Sequence, residues 1–149
     1  MGMAVKDIVG KVFDPFSIEV EKGRVAFFAR SIGASDPIHF SEAAARAAGH
    51  RGIVAPPTFG FTIAMDANQS FMVLDQLGID KTRTVHGEQE FIYHDDICAG
   101  DTITGQQTVA ESYDKKGGAL TFIVTKTEIK NQLGSHVCDL RTVIVVRNG

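Results

Sequence analysis

The sequence predicts an α+β fold in which a five-stranded antiparallel sheet packs against one long, buried helix. Three observations carry this prediction: a strand pattern near the start, a mostly apolar helix in the middle, and four strand patterns after residue 85. Short loops that contain glycine separate the later strands, and loops of this kind join antiparallel neighbours. Strands of this length are long enough to wrap the helix.

Length and composition fit one globular domain over residues 1–149, with 44% hydrophobic residues and a net charge of −3. A chain of this size buries enough surface to fold without a metal or a disulfide. No block of lysine and arginine exceeds two residues. A nucleic-acid-binding surface needs a concentrated positive stripe, so that class of function is excluded.

Cysteine usage and the termini indicate a cytoplasmic protein. Cys98 and Cys138 are too few for a secreted disulfide framework. The N-terminus has no apolar stretch of signal-peptide length, and no long uncharged run occurs that would cross a membrane. We therefore expect no membrane association.

The first half of the chain predicts one strand and two short helices. Phe16–Val20 has strand character, and a helix over about Lys22–Ile32 follows, ended by Gly33. After a loop, a second helix begins at the N-cap residue Ser41 and stops at Gly49.

The long helix is predicted over about Thr58–Leu77. Residues 51–57 are extended because a residue before proline avoids the α region, and Pro57 suits the first position of a helix. The helix is apolar on most of its circumference, which is typical of a helix buried in a core. Gly78 is a credible residue to end it.

The second half is rich in valine, isoleucine, threonine and aromatic residues. Glycine-containing connections at 98–100, 115–118 and 131–134 favour antiparallel pairing of consecutive strands. The predicted strands are residues 86–96, 101–115, 119–131 and 136–147.

The histidines form no recognisable set of metal ligands. His86 and His94 share a strand face, but eight residues at about 3.4 Å each separate them by roughly 27 Å. HExxH, Cys/His clusters, phosphate loops and GxSxG are all absent from the sequence. We therefore expect no metal and no redox cofactor.

The segment Ser31–Phe40 (Ser-Ile-Gly-Ala-Ser-Asp-Pro-Ile-His-Phe) resembles the active-site loop of MaoC-like dehydratases and (R)-specific enoyl-CoA hydratases. That family's pattern is Gly-Asp-x-Asn-Pro-hydrophobic-His. The resemblance is greatest to the N-terminal, FAS1-like dehydratase type, and it covers the chain from Val9 to Arg147. Further blocks that resemble this type are residues 43–49, 52–59, 86–91 and 99–101.

The resemblance implies a hot-dog fold, in which an antiparallel sheet wraps a central helix, and an assembly of two such units. It implies reversible hydration of a trans-2-enoyl thioester to the (R)-3-hydroxyacyl thioester. An aspartate and a histidine would activate the water, and backbone amides at the start of the central helix would stabilise the enolate oxygen. No separate cofactor is implied, since CoA or the pantetheine of an acyl carrier protein belongs to the substrate.

Carried over residue by residue, the family histidine falls on His39, which matches. The family asparagine falls on Asp36, which keeps the size and adds a charge. The catalytic aspartate falls on Ala34, whose side chain cannot accept a proton. His39 is thus the first catalytic candidate and Asp36 the second.

A second departure lies at the start of the central helix. The family has His-Gly there, whereas this chain has Pro56-Pro57, and proline carries no N–H. The amides of Thr58, Phe59 and Gly60 remain as candidates for the oxyanion-stabilising role.

Three interpretations follow from these departures. In the first, Asp36 replaces the lost carboxylate and works with His39 in a complete enzyme. In the second, the chain is the non-catalytic half of a heterodimer whose partner supplies the aspartate and histidine. In the third, the chain is a homodimeric acyl-thioester binder or a thioesterase. Without the resemblance, Asp36 would be taken as a turn residue that caps local amides.

Other polar residues have weaker assignments. His86 and Glu88 begin a strand, and they are either a solvated strand end or part of the substrate site. Asp101 after a glycine is typical of a turn. The cations that could meet a CoA phosphate are Arg51, Lys81 and Arg83, though exposed cations are common.

Overall fold

The computed structural model describes residues 5–149. The first four residues, which belong to the N-terminal segment considered above for a signal peptide, lie outside this description. Within the described residues, one five-stranded sheet in the order β1-β3-β4-β5-β2 packs against short helices. The strands are β1 (Phe16–Glu19), β2 (Thr84–Tyr93), β3 (Thr102–Lys115), β4 (Leu120–Lys130) and β5 (His136–Arg147). The helices are α1 (Lys22–Ser31), α2 (Glu42–Ala47), α3 (Phe59–Asp66) and α4 (Met72–Leu77).

The α+β class and the antiparallel sheet are confirmed, but one predicted pairing is wrong. The strands β3, β4 and β5 pair with their chain neighbours, as their glycine-containing loops predict. Strand β2 does not pair with β3; it lies at the far edge of the sheet, against β5. The loop before β3 is not a hairpin, because its backbone pairs with the extended segment before α3, where Ala99 N–H donates to the Ile53 carbonyl at 2.8 Å.

The predicted single helix over Thr58–Leu77 is also wrong in its extent, since two helices, α3 and α4, occupy the segment. Asn68, with φ of 58°, ends α3 in the left-handed region, which asparagine tolerates better than most residues. The Gln69 N–H then donates to the Ala64 carbonyl at 2.9 Å, which closes the helix end. Apolar residues resume at Phe71 after the polar residues 68–70, so the hydrophobic pattern alone does not distinguish one interrupted helix from two. The helix also begins later than predicted: Pro57 precedes the N-cap Thr58, and Phe59 is the first helical residue.

The core consists of two clusters, one around each of these helices. Helix α3 packs closely against β5 and β2: a Cβ added at Gly60 would lie 3.3 Å from Leu140 Cδ2 and 3.9 Å from Phe91 Cδ1. Because Gly60 has no side chain, the first turn of α3 approaches the sheet closely. The second cluster includes Val73 and Leu74 of α4, both fully buried.

None of the helices in the described part of the chain is both long and apolar enough to cross a membrane.

Candidate active site

His39 lies at the end of a 3-10 turn, Pro37–His39, in a half-buried position. Its Nδ1 atom lies 2.7 Å from the Val54 carbonyl oxygen. A carbonyl oxygen only accepts, so Nδ1 carries the hydrogen and donates it. In the neutral imidazole, the lone pair is then on Nε2, which is the atom able to take a proton from water.

The segment Ile53–Ala55 holds His39 in place, and it is itself fixed along both edges. The Val54 N–H donates to the Ile38 carbonyl at 3.1 Å, on the side of the 3-10 turn. On the other side, the Ala55 N–H donates to the Ile97 carbonyl at 2.8 Å. The segment is buried and leads directly into α3. Backbone hydrogen bonds therefore set the position of His39 relative to the start of that helix.

An ion pair between the partly exposed Arg51 and the buried Asp101 anchors the beginning of this segment. Arg51 donates from NH1 and NH2 to the two carboxylate oxygens of Asp101, at 2.8 and 3.1 Å. Asp101, 2% exposed, also accepts from the Cys98 N–H and from Gln132. Burial raises the pKa of Asp101, but the hydrogen bonds from Arg51, Cys98 and Gln132 outweigh it and hold the pKa below its usual value. Asp101 is thus more than the turn residue that the sequence indicates.

The other cations considered for a CoA phosphate also have protein partners. The Lys81 ammonium lies 2.9 Å from Asp75 Oδ1. Arg83 donates twice to the Arg147 carbonyl, at 3.0 and 2.6 Å.

The loop before His39 brings no carboxylate to the imidazole by hydrogen bonding. Asp36 is exposed, and its Oδ1 accepts from the Ile38 N–H at 3.1 Å, which caps the 3-10 turn. Among the described residues the Asp36 carboxylate makes no hydrogen bond to the His39 imidazole, and the two residues are joined only through the main chain, where the His39 N–H donates to the Asp36 carbonyl at 3.2 Å. Ala34, at the position of the family aspartate, lies in the turn after α1 and offers only a methyl group.

Two of the three amides considered at the start of α3 are available. The Phe59 N–H donates to the Pro56 carbonyl at 2.9 Å and is already used. In the described part of the chain, the Thr58 and Gly60 amides donate to no backbone carbonyl. They are free N–H groups at the positive end of a helix, where negative charge is stabilised.

His86 and Glu88, the two possible substrate-site residues on β2, direct their functional groups to different neighbours. The His86 ring packs on Phe61 in the first turn of α3, with ring centroids 5.1 Å apart. The Glu88 carboxylate instead binds Arg141 of β5 at 3.0 Å. A β-bulge at the intervening Gly87 shifts the strand register between them.

A cleft of about 400 Å³ opens between β1, α1 and α3. Its apolar wall includes Phe59 and Ile63 of α3, and an ion pair between Arg24 and Asp66 crosses its rim at 2.7 Å. This volume is in the range of small-ligand sites, and the cleft begins at the same helix turn that carries the free amides. The remaining lining residues are Ile18, Glu19, Val20 and Glu21.

Two polar groupings in the structure have no signature in the sequence. One is a hydrogen-bonded pair between His50 Nδ1 and the Asp96 carboxylate, residues that no motif links. The other joins His94, His136 and Asp139, which local strand periodicity does not predict.

Neither cysteine is a ready nucleophile. Burial, with the nearby Asp139 charge, raises the pKa of Cys138 to about 11, and burial also raises the pKa of Cys98. Both thiols are therefore protonated at neutral pH.

Comparisons with known proteins show the family and the fold. Residues 7–140 match the family model of the FAS1-like dehydratase domain region. A UPF0336 protein of Saccharopolyspora erythraea is 35% identical over 144 residues, which cover 95% of this chain and 90% of the relative.

Two solved structures are similar over nearly the whole chain. The first is a C-terminally truncated HadBC (3R-hydroxyacyl-ACP dehydratase) complex from Mycobacterium tuberculosis, with a TM-score of 0.81 and 26% identity. That match covers 93% of this chain and 97% of the other. The second is a MaoC-like dehydratase, with a TM-score of 0.86 and 26% identity, covering 98% of this chain and 44% of that longer one.

Proposed function

Because the chain belongs to the FAS1-like dehydratase family and has its hot-dog fold, we propose that it is the acyl-thioester-binding half of a two-chain hydratase. The reaction is the reversible hydration of a trans-2-enoyl thioester to the (R)-3-hydroxyacyl thioester. A second hot-dog chain supplies the aspartate and histidine that move the protons. The substrate is carried on CoA or on an acyl carrier protein. Two buried free thiols support a reducing, cytoplasmic setting.

The observation that carries the proposal is the composition of the loop before His39. The position of the family aspartate holds Ala34, and the nearby carboxylate of Asp36 caps the Ile38 amide. General acid–base catalysis contributes about 10²–10⁴-fold, so an imidazole without a carboxylate partner leaves the site incomplete. The relative in the HadBC complex supports a two-chain arrangement.

The chain's own contribution is binding and orientation. The acyl group occupies the cleft beside Phe59 and Ile63, where binding buries the apolar surface of the acyl chain and of the cleft. The thioester carbonyl then lies against the free amides of Thr58 and Gly60. Hydration adds hydroxide to C3 and a proton to C2, and negative charge builds up on the carbonyl oxygen between these steps. The two amides stabilise that charge without reorganising.

The outer edge of β2 supplies a surface for the partner chain. Among the described residues this ten-residue strand has β5 as its single neighbour, so its other edge presents unpaired backbone groups. Val85, Ile92 and Tyr93 on this strand are each more than 40% exposed. Pairing with a second strand would satisfy the backbone and bury these side chains.

The test is hydration of crotonyl-CoA and of a longer trans-2-enoyl-CoA by the chain alone and with a co-expressed chain that carries Gly-Asp-x-Asn-Pro-x-His. We expect a robust rate only with both chains. The Ala34→Asp variant of the isolated chain supplies the carboxylate in place and is expected to gain activity. Ala34→Asn, of the same shape but without the charge, is the matched control.

Other outcomes contradict the proposal in distinguishable ways. A robust rate for the unmodified chain alone, lost in both His39→Ala and Asp36→Ala, would make it a complete enzyme that uses Asp36. Release of free CoA without hydration would indicate a thioesterase. Tight acyl-CoA binding with no reaction in either arrangement would indicate a binding protein.

A further inference from the structure

His94, His136 and Asp139 form a cluster that the proposed hydratase function does not use. His94 Nε2 lies 3.0 Å from Asp139 Oδ2, and His136 Nε2 lies 2.8 Å from Asp139 Oδ1. The two imidazole rings are 4.3 Å apart between centroids. The ligating atoms of all three residues lie within 4.8 Å of one another.

A β-bulge creates this arrangement. His136 and Asp139 are three apart on β5, and regular strand alternation would place them on opposite faces. In the pairing of β4 with β5, however, Ile129 of β4 lies opposite Cys138, and Lys130 of β4 lies opposite His136. Val137 has no partner on β4 and is therefore an extra residue in β5. The bulge therefore brings the side chains of His136 and Asp139 to the same face of the sheet.

The same bulged residue also places His94. The Val137 carbonyl accepts from the N–H groups of His94 and Asp95, at 3.0 and 3.3 Å. This fixes the end of edge strand β2 beside β5. Asp139 pairs with Ile92, and His94 lies two residues after Ile92, immediately past the end of β2. Backbone geometry therefore brings the three side chains together before any contact among them is considered.

The chemistry of the three groups is that of a borderline divalent cation site. Zn²⁺ accepts imidazole nitrogen and carboxylate oxygen at about 2.0–2.2 Å, so tetrahedral ligand atoms lie about 3.3 Å apart. The observed nitrogen–oxygen separations of 3.0 and 2.8 Å need only small side-chain movements to reach this. Two neutral imidazoles and one carboxylate leave a fourth position for water.

Electrostatics favour a cation at this point. The Asp139 carboxylate accepts hydrogen bonds from both imidazoles, so its two oxygens already face the two ring nitrogens. A bound cation would take the place of the two ring hydrogens that the Asp139 carboxylate now accepts. Each side chain is between a third and two-fifths exposed, which leaves solvent access for an incoming ion.

We propose that His94, His136 and Asp139 bind one Zn²⁺ ion that ties the end of edge strand β2 to β5. Asp139 alternates along β5 with Cys138 and Leu140, which lie against the first turn of α3, so its carboxylate projects from the other face of the sheet. The ion is thus a structural clamp, and hydratase chemistry does not need it. The proposal is independent of the proposed function.

The experiment is a Zn²⁺ titration of the untagged, metal-stripped chain at pH 7.5, above the ordinary histidine pKa of about 6.5. Calorimetry is expected to give one ion per chain, and added Zn²⁺ is expected to raise Tm. Co²⁺ serves as a spectroscopic probe, because a tetrahedral site gives strong visible absorption. His94→Ala, His136→Ala and Asp139→Asn are each expected to weaken binding at least about tenfold.

His86→Ala is the matched control, because His86 is an exposed histidine on β2 that lies outside the cluster. It is expected to keep the stoichiometry, the affinity and the Co²⁺ spectrum. Metal-free urea unfolding of each variant checks that the fold is intact. The proposal is overturned if the unmodified chain shows no saturable binding of one ion. Binding that survives in the cluster variants, or that falls equally in His86→Ala, also overturns it.

Discussion

Replacement of Arg51 by alanine should destabilise the protein strongly, although Arg51 itself is partly exposed. The change leaves Asp101, whose side chain is 3% exposed, without its two guanidinium hydrogen bonds. Hydrogen bonds to charged groups contribute about 1.5–3 kcal/mol each, and breaking a buried pair costs about 3–5 kcal/mol. Because the Cys98 amide and Gln132 still bind the carboxylate, we expect the lower end, about 3 kcal/mol.

The assay is urea unfolding at pH 7, and Arg46→Ala is the matched control. Arg46 also donates twice to a carboxylate, that of Glu42, but both side chains are largely exposed. Exposed pairs contribute about 0–1 kcal/mol, so this variant should lie close to the unmodified chain. Equal effects of the two substitutions would refute the argument that burial of Asp101 makes the Arg51 pair strong.

Acid pH provides a second check on the same pair. The folded-state pKa of Asp101 lies below the ordinary value of about 3.9, so its stabilising contribution is complete above that pH. The contribution is lost as the pH falls through the folded-state pKa. The stability gap between the unmodified chain and Arg51→Ala should therefore stay constant near neutral pH and narrow only as the pH falls below about 4. A gap that is constant with pH would contradict the ionic origin of the effect.

Three further measurements test other features of the fold. Gly105→Ala should lower the free energy of unfolding in urea by about 1–3 kcal/mol, because a Cβ there would lie 2.2 Å from Phe16 Cζ. Gly23→Ala is its control, because no atom lies within 4 Å of a Cβ at that position. Asn68→Ala should cost about 1–2 kcal/mol, whereas Asn68→Gly should be nearly neutral because glycine tolerates positive φ. Both cysteines should resist Ellman's reagent at pH 8 until urea unfolds the chain, and a fast-reacting native thiol would disprove their burial.

The parts of the fold that depend on local pattern were predictable, and those that depend on distant contacts were not. Strand β5 occupies the predicted residues, because its composition and the flanking glycine loop are local signals. The pairing of β2 with β5 and the extra residue Val137 depend on long-range backbone bonds. The end of α3 coincides with the polar residues Asp66 and 68–70, but these also fit the exposed face of one continuous helix, and the positive φ of Asn68 is not visible in the sequence.

The candidate site divides in a similar way. His39 was found from the motif, and the structure adds the acceptor, Val54, that selects its hydrogen position. No spacing rule connects Val54 to His39, since a backbone carbonyl has no sequence signature. Arg51 and Asp101 were both noted, but as a phosphate ligand and a turn residue. Their pairing requires two segments fifty residues apart to meet.

The hydrogen bond from His39 to a main-chain carbonyl has a consequence for how such proteins diverge. The imidazole takes its tautomer from Val54, so no other side chain is needed to preserve it. After gene duplication, one copy can exchange the carboxylate at residue 34 for a methyl group without disturbing the histidine. Activity is then lost in that copy while its fold and substrate cleft persist, and the other copy comes under selection to retain the chemistry. Under the proposed function, a substitution at residue 34 would thus be a sufficient first step toward a division of labour between sister chains.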